Sequence, residues 1–183
     1  MPYIDKITDP DAPPLTSADH LLGDAHAYLM LLEYGDYACP ACQQAAPQLQ
    51  KLVDAAGPRL CFVYRHFPLM ERHPHAELAA EAAEAAAAQG KFWPMHQWLM
   101  AQPQGLAPAA LASYAVAADL DLHRFQGAMA GRIYTQRVQE HRRAGALSGV
   151  QATPTFFLND AKLDVSPGLD KLAAAVHTAL QGR

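Results

Sequence analysis

Two of the three cysteines in this 183-residue chain lie three positions apart, in the segment Cys39-Pro-Ala-Cys42. A pair with this spacing supports two kinds of chemistry, reversible disulfide formation or coordination of a metal ion through two thiolates. Three cysteines cannot complete a framework of structural disulfides, because one thiol is always left over. The spacing therefore indicates a redox pair or half of a metal site.

The residues around the pair predict a strand, a turn and a helix. Residues 27–34 form a largely apolar run of strand length, typical of a strand covered on both faces. Apolar residues then recur at helical spacing from about Cys39 until Gly57. Pro40 suits the first turn of this helix, and Pro47 is expected to kink it.

A cysteine pair at the start of a helix has a physical logic. The unpaired N–H groups of a helix N-terminus stabilise negative charge, and they lower a cysteine pKa from about 8.5 into a range of roughly 3.5–7.5. Cys39 would lie at that end with an exposed sulfur, and Cys42 would lie one turn deeper. We therefore expect a mixed disulfide to form at Cys39 and Cys42 to resolve it.

Glu33 lies within the apolar strand, six positions before Cys39. A carboxylate there is expected to be partly buried and to have a raised pKa. It would then exchange protons with Cys42 through water. The alternative is that Glu33 faces a wet edge of the sheet and has no chemical role.

The rest of the chain alternates between the two kinds of secondary structure. Residues 60–67 predict a second strand, which makes a parallel strand–helix–strand unit with the first. Residues 75–147 are rich in alanine and predict a series of short helices. Two strands at 153–160 and 161–165 and an amphipathic helix at 167–180 close the chain.

Thr153-Pro154 begins the predicted third strand. If that strand lies beside the cysteine pair, a cis bond before Pro154 would leave the backbone of Thr153 open to a substrate chain. It would also crowd the cysteines and discourage metal binding.

The segments EYGDYACPAC, GVQATPTFFLN and YRHFPL together resemble the DsbA-like branch of the thioredoxin superfamily. This branch includes the thioredoxin-like domains fused behind some bacterial sodium/proton antiporters. The resemblance covers roughly residues 20–183. It implies an α/β thioredoxin fold with an inserted α-helical subdomain. The expected division is an N-terminal arm at 1–19, a thioredoxin-like domain at 20–70 and 148–183, and a helical insertion at 71–147.

The resemblance also implies an activity, a thiol–disulfide oxidoreductase acting on protein thiols or disulfides with an unidentified redox partner and no metal or organic cofactor. Cys39 would be the nucleophile, Cys42 the resolving cysteine and Glu33 the buried acid. The implied substrate-facing residues are Pro40, Ala41, Thr153 and Pro154.

Ala41 departs from the pattern of the strongly oxidising members, which carry histidine between the proline and the second cysteine. A histidine there stabilises the thiolate, and a more stable reduced form makes a stronger oxidant. Alanine therefore predicts a less oxidising pair.

Composition excludes some classes of function. The formal net charge of −4 gives no electrostatic reason to expect a nucleic acid or an anionic membrane as partner. The longest strongly apolar run is far too short to span a bilayer. The polar, acidic N-terminus lacks the features of a secretory signal, which predicts a cytoplasmic protein, or a periplasmic one if a leader was removed.

Three alternatives remain open. Cys39, Cys42, His73 and His75 would be a zinc set, although their spacing matches no familiar finger or ribbon. A second alternative is a non-catalytic, chaperone-like module that binds peptides in an apolar cleft and leaves its cysteines idle. In the helical insertion, which would form a lid over the active site, a peptide groove would be lined by Phe92, Trp93, Met95, Trp98 and Met100, although such residues are more often core. A glutathione-dependent isomerase or transferase is a third, although such relatives generally lack the cysteine pair.

Cys61, the third cysteine, lies in the second predicted strand. A buried and chemically inert thiol is expected there.

Overall fold

The computed structural model describes residues 14–102, 104–159, 161–165 and 168–182. The strands are β1 (His20–Leu22), β2 (Leu29–Gly35), β3 (Leu60–His66), β4 (Thr155–Leu158) and β5 (Ala161–Leu163). The helices are α1 (Pro40–Ala56), α2 (Ala76–Ala87), α3 (Phe92–Ala101), α4 (Pro108–Ala117), α5 (Leu122–Ala130), α6 (Thr135–Leu147) and α7 (Asp170–Gln181).

The strands form one mixed sheet in the order β1-β3-β2-β4-β5. Strands β2 and β3 are parallel and are joined through α1, as the sequence predicted. The other three pairings are antiparallel. The α/β fold with a helical insertion between β3 and β4 is thus confirmed.

Strand β2 is central, and all seven of its residues are buried. Alternate residues face opposite sides of a sheet. Leu29 and Leu31 join the large cluster that includes α1, whereas Met30 and Leu32 join a smaller cluster on the other side. Because both faces are covered, the strand reads as a continuous apolar run.

Helix α6 packs closely against the second face of the sheet. A Cβ atom added to Gly145 would lie 2.9 Å from ring atoms of both Tyr34 and Phe67. Only glycine therefore allows α6 to approach these two rings at the observed distance.

The alanine-rich segment forms α2, whose buried residues surround the helix on several sides. Helices α3, α4, α5 and α6 all contact it. Small side chains let four neighbours approach one helix, so the composition reflects packing. Within the described residues, no helix combines the length and apolarity needed to cross a membrane.

Some predicted boundaries were wrong. Strand β4 begins at Thr155, so Thr153 and Pro154 lie in the loop before it. Helix α7 begins at Asp170; the predicted start, Pro167, lies outside the described residues. The short edge strand β1 was not predicted, because three residues are too few to show a period.

Candidate active site

Cys39 is the N-cap residue of α1, with extended backbone angles (φ −81°, ψ 119°), and Pro40 is the first helical residue. The helix starts here because proline loses no hydrogen bond in a first turn. Cys42 follows one turn later. Cys39 is buried, with 7% exposure, so the expectation of an exposed residue at this position is wrong, whereas Cys42 lies deeper, with none, as expected. Cys39, Cys42 and Cys61 all carry free thiols.

Asp36 organises the turn that leads into the helix. Its carboxylate accepts a hydrogen bond from the N–H of Ala38 at 2.8 Å, and its carbonyl accepts one from the N–H of Cys39 at 3.0 Å. Its own N–H donates to the sulfur of Cys42 at 3.5 Å. The sequence did not single out this residue. Aspartate often accepts a hydrogen bond from the N–H two positions later in a turn, so its place just before the helix was an available signal.

The second carboxylate oxygen of Asp36 links the turn to the start of the helical insertion. It accepts from the N–H of Leu69 at 3.0 Å and lies 2.7 Å from Nδ1 of His73. This contact bears on the alternative zinc set. His73 is engaged by Asp36, and the structure does not bring it together with His75 and the cysteines as a donor cluster within the described chain.

The Thr153–Pro154 loop lies against the cysteine pair. The Thr153–Pro154 peptide bond is cis, and the carbonyl oxygen of Thr153 lies 3.3 Å from Sγ of Cys39. Pro40 and Ala41 are exposed, and Pro154 is half-buried. The structure therefore places the predicted substrate-facing residues in the two segments that meet at Cys39.

The two thiols of the pair have oppositely displaced pKa values. The pKa of Cys39 falls to about 5, chiefly because the thiol of Cys42 hydrogen-bonds to its sulfur, with support from the backbone N–H groups of Ala41 and Cys42. The pKa of Cys42 is raised, first by the same hydrogen bond and then by burial. Cys39 is therefore a thiolate at neutral pH, while Cys42 keeps its proton.

Glu33 is more deeply buried than the sequence suggested, with 1% exposure. It lies opposite Tyr64 of β3 and Phe156 of β4. Within the part of the chain that the structure describes, its Oε1 atom has no hydrogen-bond partner. Burial, followed by the charge of Cys39, raises its pKa to about 8. Its charge in turn raises the pKa of Cys42, so the acid and the second thiol interact electrostatically.

A cavity of about 670 Å³ runs between α1 and α3, from the cysteine motif to the buried acid. Its lining includes Glu33, Pro40, Ala46, Phe62, Trp93 and Met100.

The predicted peptide groove is therefore only partly right. Trp93 and Met100 line the cavity, but Phe92 and Met95 are core residues. Trp98 is partly exposed and stacks on Tyr114.

A polar cluster that the sequence did not reveal joins the sheet to α2. Nε2 of His20 lies 2.8 Å, and Nε2 of His66 2.9 Å, from the same oxygen of Glu84. Arg137 lies 3.3 Å from the other oxygen. The four residues come from β1, β3, α2 and α6, so no local sequence pattern predicts the cluster.

Cys61 lies in β3 with 1% exposure. Burial raises its pKa to about 11. The expectation of a buried thiol is confirmed, and its lack of reactivity stays a prediction that the raised pKa supports.

Comparison with known sequences matches a family model described as Thioredoxin to residues 15–178. A curated relative, the Na(+)/H(+) antiporter NhaA 1 of Salinispora arenicola, is 44% identical over 165 residues. The match covers 90% of this chain but 25% of the relative. The chain thus spans about a quarter of the length of this relative.

Two solved structures show the same fold. A thioredoxin-like oxidoreductase from Silicibacter pomeroyi is 29% identical, with a TM-score of 0.76 over 95% of each chain. A substituted form of alpha-DsbA1 from Wolbachia pipientis is 20% identical, with a TM-score of 0.75 over 92% of this chain and 93% of that one. The second likeness concerns the fold alone.

Proposed function

Because the chain belongs to the thioredoxin family, we propose that it is a DsbA-like thiol–disulfide oxidoreductase that exchanges disulfides with protein thiols through Cys39 and Cys42. The observation that carries the proposal is the geometry of the pair: Cys39 caps the N-terminus of α1, and the fully buried Cys42 lies one turn away, which displaces the two thiol pKa values in opposite directions. A thiolate with a protonated thiol one turn away is the arrangement that attack followed by resolution requires.

In the reducing direction, the thiolate of Cys39 attacks one sulfur of a substrate disulfide, and the other sulfur leaves as a thiolate. Cys42 then loses its proton and attacks Sγ of Cys39, which releases the remaining substrate sulfur. The substrate gains two electrons, and the Cys39–Cys42 pair loses two as its disulfide forms. The same steps in reverse oxidise a substrate dithiol.

Glu33 is proposed to accept the proton of Cys42 during resolution. Its pKa is raised partly by the thiolate charge of Cys39. That charge disappears once Cys39 is bound in a mixed disulfide, so the pKa of Glu33 falls at the step that needs a base. Glu33 lines the cavity between α1 and α3, which leaves room for a water to carry the proton.

Pro40, Ala41, Thr153 and Pro154 are proposed to face the substrate. Support comes from the exposure of Pro40 and Ala41 and from the contact between Thr153 and the sulfur of Cys39. A protein chain reaching Cys39 would have to pass between these two segments.

The test is to trap the mixed disulfide. A Cys42→Ser variant, mixed with a peptide that contains one disulfide, should accumulate a covalent adduct at Cys39 by intact mass. Cys39→Ser should form none, and Cys61→Ser should behave as wild type. Turnover that survives Cys39→Ser would refute the proposal.

The cavity between α1 and α3 favours a second candidate, a peptide-binding module without catalysis. Such a module would bind unfolded peptides equally well after Cys39→Ser. An oxidoreductase would lose peptide reduction completely in the same variant. Peptide binding and peptide reduction, measured on the same pair of proteins, therefore separate the two candidates.

The direction of the reaction depends on a redox partner that supplies or removes electrons. Equilibration of the Cys39–Cys42 pair with glutathione buffers measures its reduction potential and so determines the direction. A potential near roughly −270 mV would match thioredoxin, a reductant, and one near roughly −120 mV would match DsbA, an oxidant.

A further inference from the structure

We propose that the helical insertion positions the nucleophile through Gln102, a residue at the end of α3 that holds the main chain two residues before Cys39. This positioning role rests on the proposed function of Cys39. Its structural basis is a set of contacts that converge on Tyr37.

The peptide unit between Tyr37 and Ala38 is held at both ends. Its carbonyl oxygen accepts hydrogen bonds from the side-chain amides of Gln102 at 2.6 Å and Gln43 at 2.9 Å. Its N–H donates to the carboxylate of Asp36 at 2.8 Å. Gln43 belongs to α1, the same helix as the cysteine pair, so its bond is local. Gln102 lies 65 positions from Tyr37, so its bond ties this peptide unit to the end of α3.

The backbone of Gln102 is unusual. It caps α3 in the left-handed region, with φ 31° and ψ 57°, and its N–H bonds to the carbonyl of Trp98 at 2.8 Å. A residue with a Cβ atom is rarely found there, and such outliers persist where the surroundings compensate for them. In this structure the backbone geometry directs the amide onto Tyr37.

Helix α3 also holds the side chain of Tyr37. The hydroxyl of Tyr37 lies 3.0 Å from Nδ1 of His96. Burial lowers the pKa of His96 to about 3, so the ring is neutral and forms a hydrogen bond with the hydroxyl of Tyr37 through Nδ1. Tyr37 has 1% exposure. One helix of the insertion therefore fixes both the carbonyl and the phenol of this residue.

The consequence reaches Cys39 because the thiolate depends on position. Its pKa is lowered by the thiol of Cys42 and by two backbone N–H groups, all of which act at hydrogen-bond range. If the turn before Cys39 loosens, the sulfur moves relative to these donors. Loss of the Gln102 amide should therefore raise the pKa of Cys39, although Gln102 bonds to Tyr37 and not to the sulfur.

The test compares wild type with Gln102→Met, which keeps the length of the side chain and removes the amide without adding charge. The pKa of Cys39 is read from thiolate absorbance and from the pH dependence of iodoacetamide alkylation. We expect a rise of roughly 0.5 to 1 unit, the shift equivalent to one net hydrogen bond. Gln48→Met, an exposed substitution on α1, should leave the pKa unchanged.

Gln102→Gly is a second variant that separates loss of the amide from a loss of stability. Glycine adopts the left-handed backbone without strain and lacks the side-chain amide. The same pKa rise with an unchanged melting temperature would support the proposal. Tyr37→Phe removes the phenol bond, and combining it with Gln102→Met should raise the pKa by less than the sum, because both act through Tyr37.

Two outcomes would overturn the proposal: an unchanged pKa in both Gln102 variants, or a lower melting temperature with an unchanged pKa. The pKa of Cys39 is measured without any substrate. A shift seen in a protein that never exchanges disulfides would therefore support the positioning role and refute the proposed function.

Discussion

The sulfur of Cys39 lies 3.3 Å from the carbonyl oxygen of Thr153, although 114 positions separate the two residues. One residue caps the helix after β2, and the other lies in the loop before β4. The helical insertion separates these segments in the chain, and the pairing of β2 with β4 brings them back together. The environment of Cys39 is thus shared between two segments that lie far apart in the sequence.

Thr153→Val should raise the pKa of Cys39. The hydroxyl of Thr153 is buried and has no hydrogen-bond partner among the described residues. The side chain of Thr153 nevertheless contributes to lowering the pKa of Cys39. A hydroxyl free to rotate can turn its hydrogen toward the thiolate, and valine has the same shape without that hydrogen. Iodoacetamide alkylation across pH 3–8 measures the change, and an unchanged midpoint would show that the hydroxyl has no part in stabilising the thiolate.

Reduced wild-type protein should gain stability relative to Cys39→Ser as the pH rises. The pKa of Cys39 falls from an ordinary 9.0 to about 5 on folding. The contribution of ionised Cys39 to the free energy of unfolding is complete above pH 9, where the thiol of the unfolded chain is also ionised. It is lost as the pH falls through about 5. Urea unfolding under reductant at pH 5, 7 and 9 measures the difference, which a normal thiol would leave constant.

Glu33→Gln should show the opposite pH dependence and slow resolution. The pKa of Glu33 rises from 4.5 to about 8, so its contribution to stability is present below pH 4.5 and is lost as the pH rises through about 8. The variant should therefore exceed wild type in stability most clearly at pH 9. Loss of a general base should slow release of the mixed disulfide on the order of 10²-fold.

The matched control is Glu140→Gln on the exposed surface of α6. It should alter neither the pH profile of stability nor the rate of resolution. Equal rates in Glu33→Gln and wild type would remove Glu33 from the mechanism.

Ala41→His should make the Cys39–Cys42 pair more oxidising. A cationic ring at this exposed position stabilises the thiolate of Cys39 and so the reduced form. A tenfold change in the equilibrium with glutathione corresponds to about 30 mV, and we expect a shift of at least roughly that size. Gln48→His, on the exposed side of the same helix, is the control, and a potential that moves equally in both variants would contradict the argument.

Gly145→Ala should destabilise the fold, whereas Gly127→Ala should not. The new methyl group at Gly145 would meet the rings of Tyr34 and Phe67, and overpacking of this kind costs about 1–3 kcal/mol. Gly127 lies in α5 with open space around it, so alanine there should add up to about 1 kcal/mol of helix stability. Urea unfolding of the two variants measures both effects, and similar values would show that α6 can retreat from the sheet.

The residues of the site differ in how far sequence alone could predict them. The order of strand, turn, cysteine pair and helix was predictable because each depends on neighbouring residues: apolar periodicity, a proline in a first helical turn, and Gly57 after the last turn. The lowered pKa of Cys39 was predictable from the same local facts, since a helix N-terminus stabilises a thiolate.

The sequence by itself determined the position of the cysteine pair, with Cys39 as the proposed nucleophile, and the strand–helix–strand unit around it, since both depend on contiguous residues. Only the tertiary structure decided that Thr153 meets Cys39, that Oε1 of Glu33 has no hydrogen-bond partner among the described residues and that Gln102 reaches Tyr37. These contacts join segments far apart in the chain. Their formation depends on how whole faces of helices and strands pack, and no local spacing of residues encodes that.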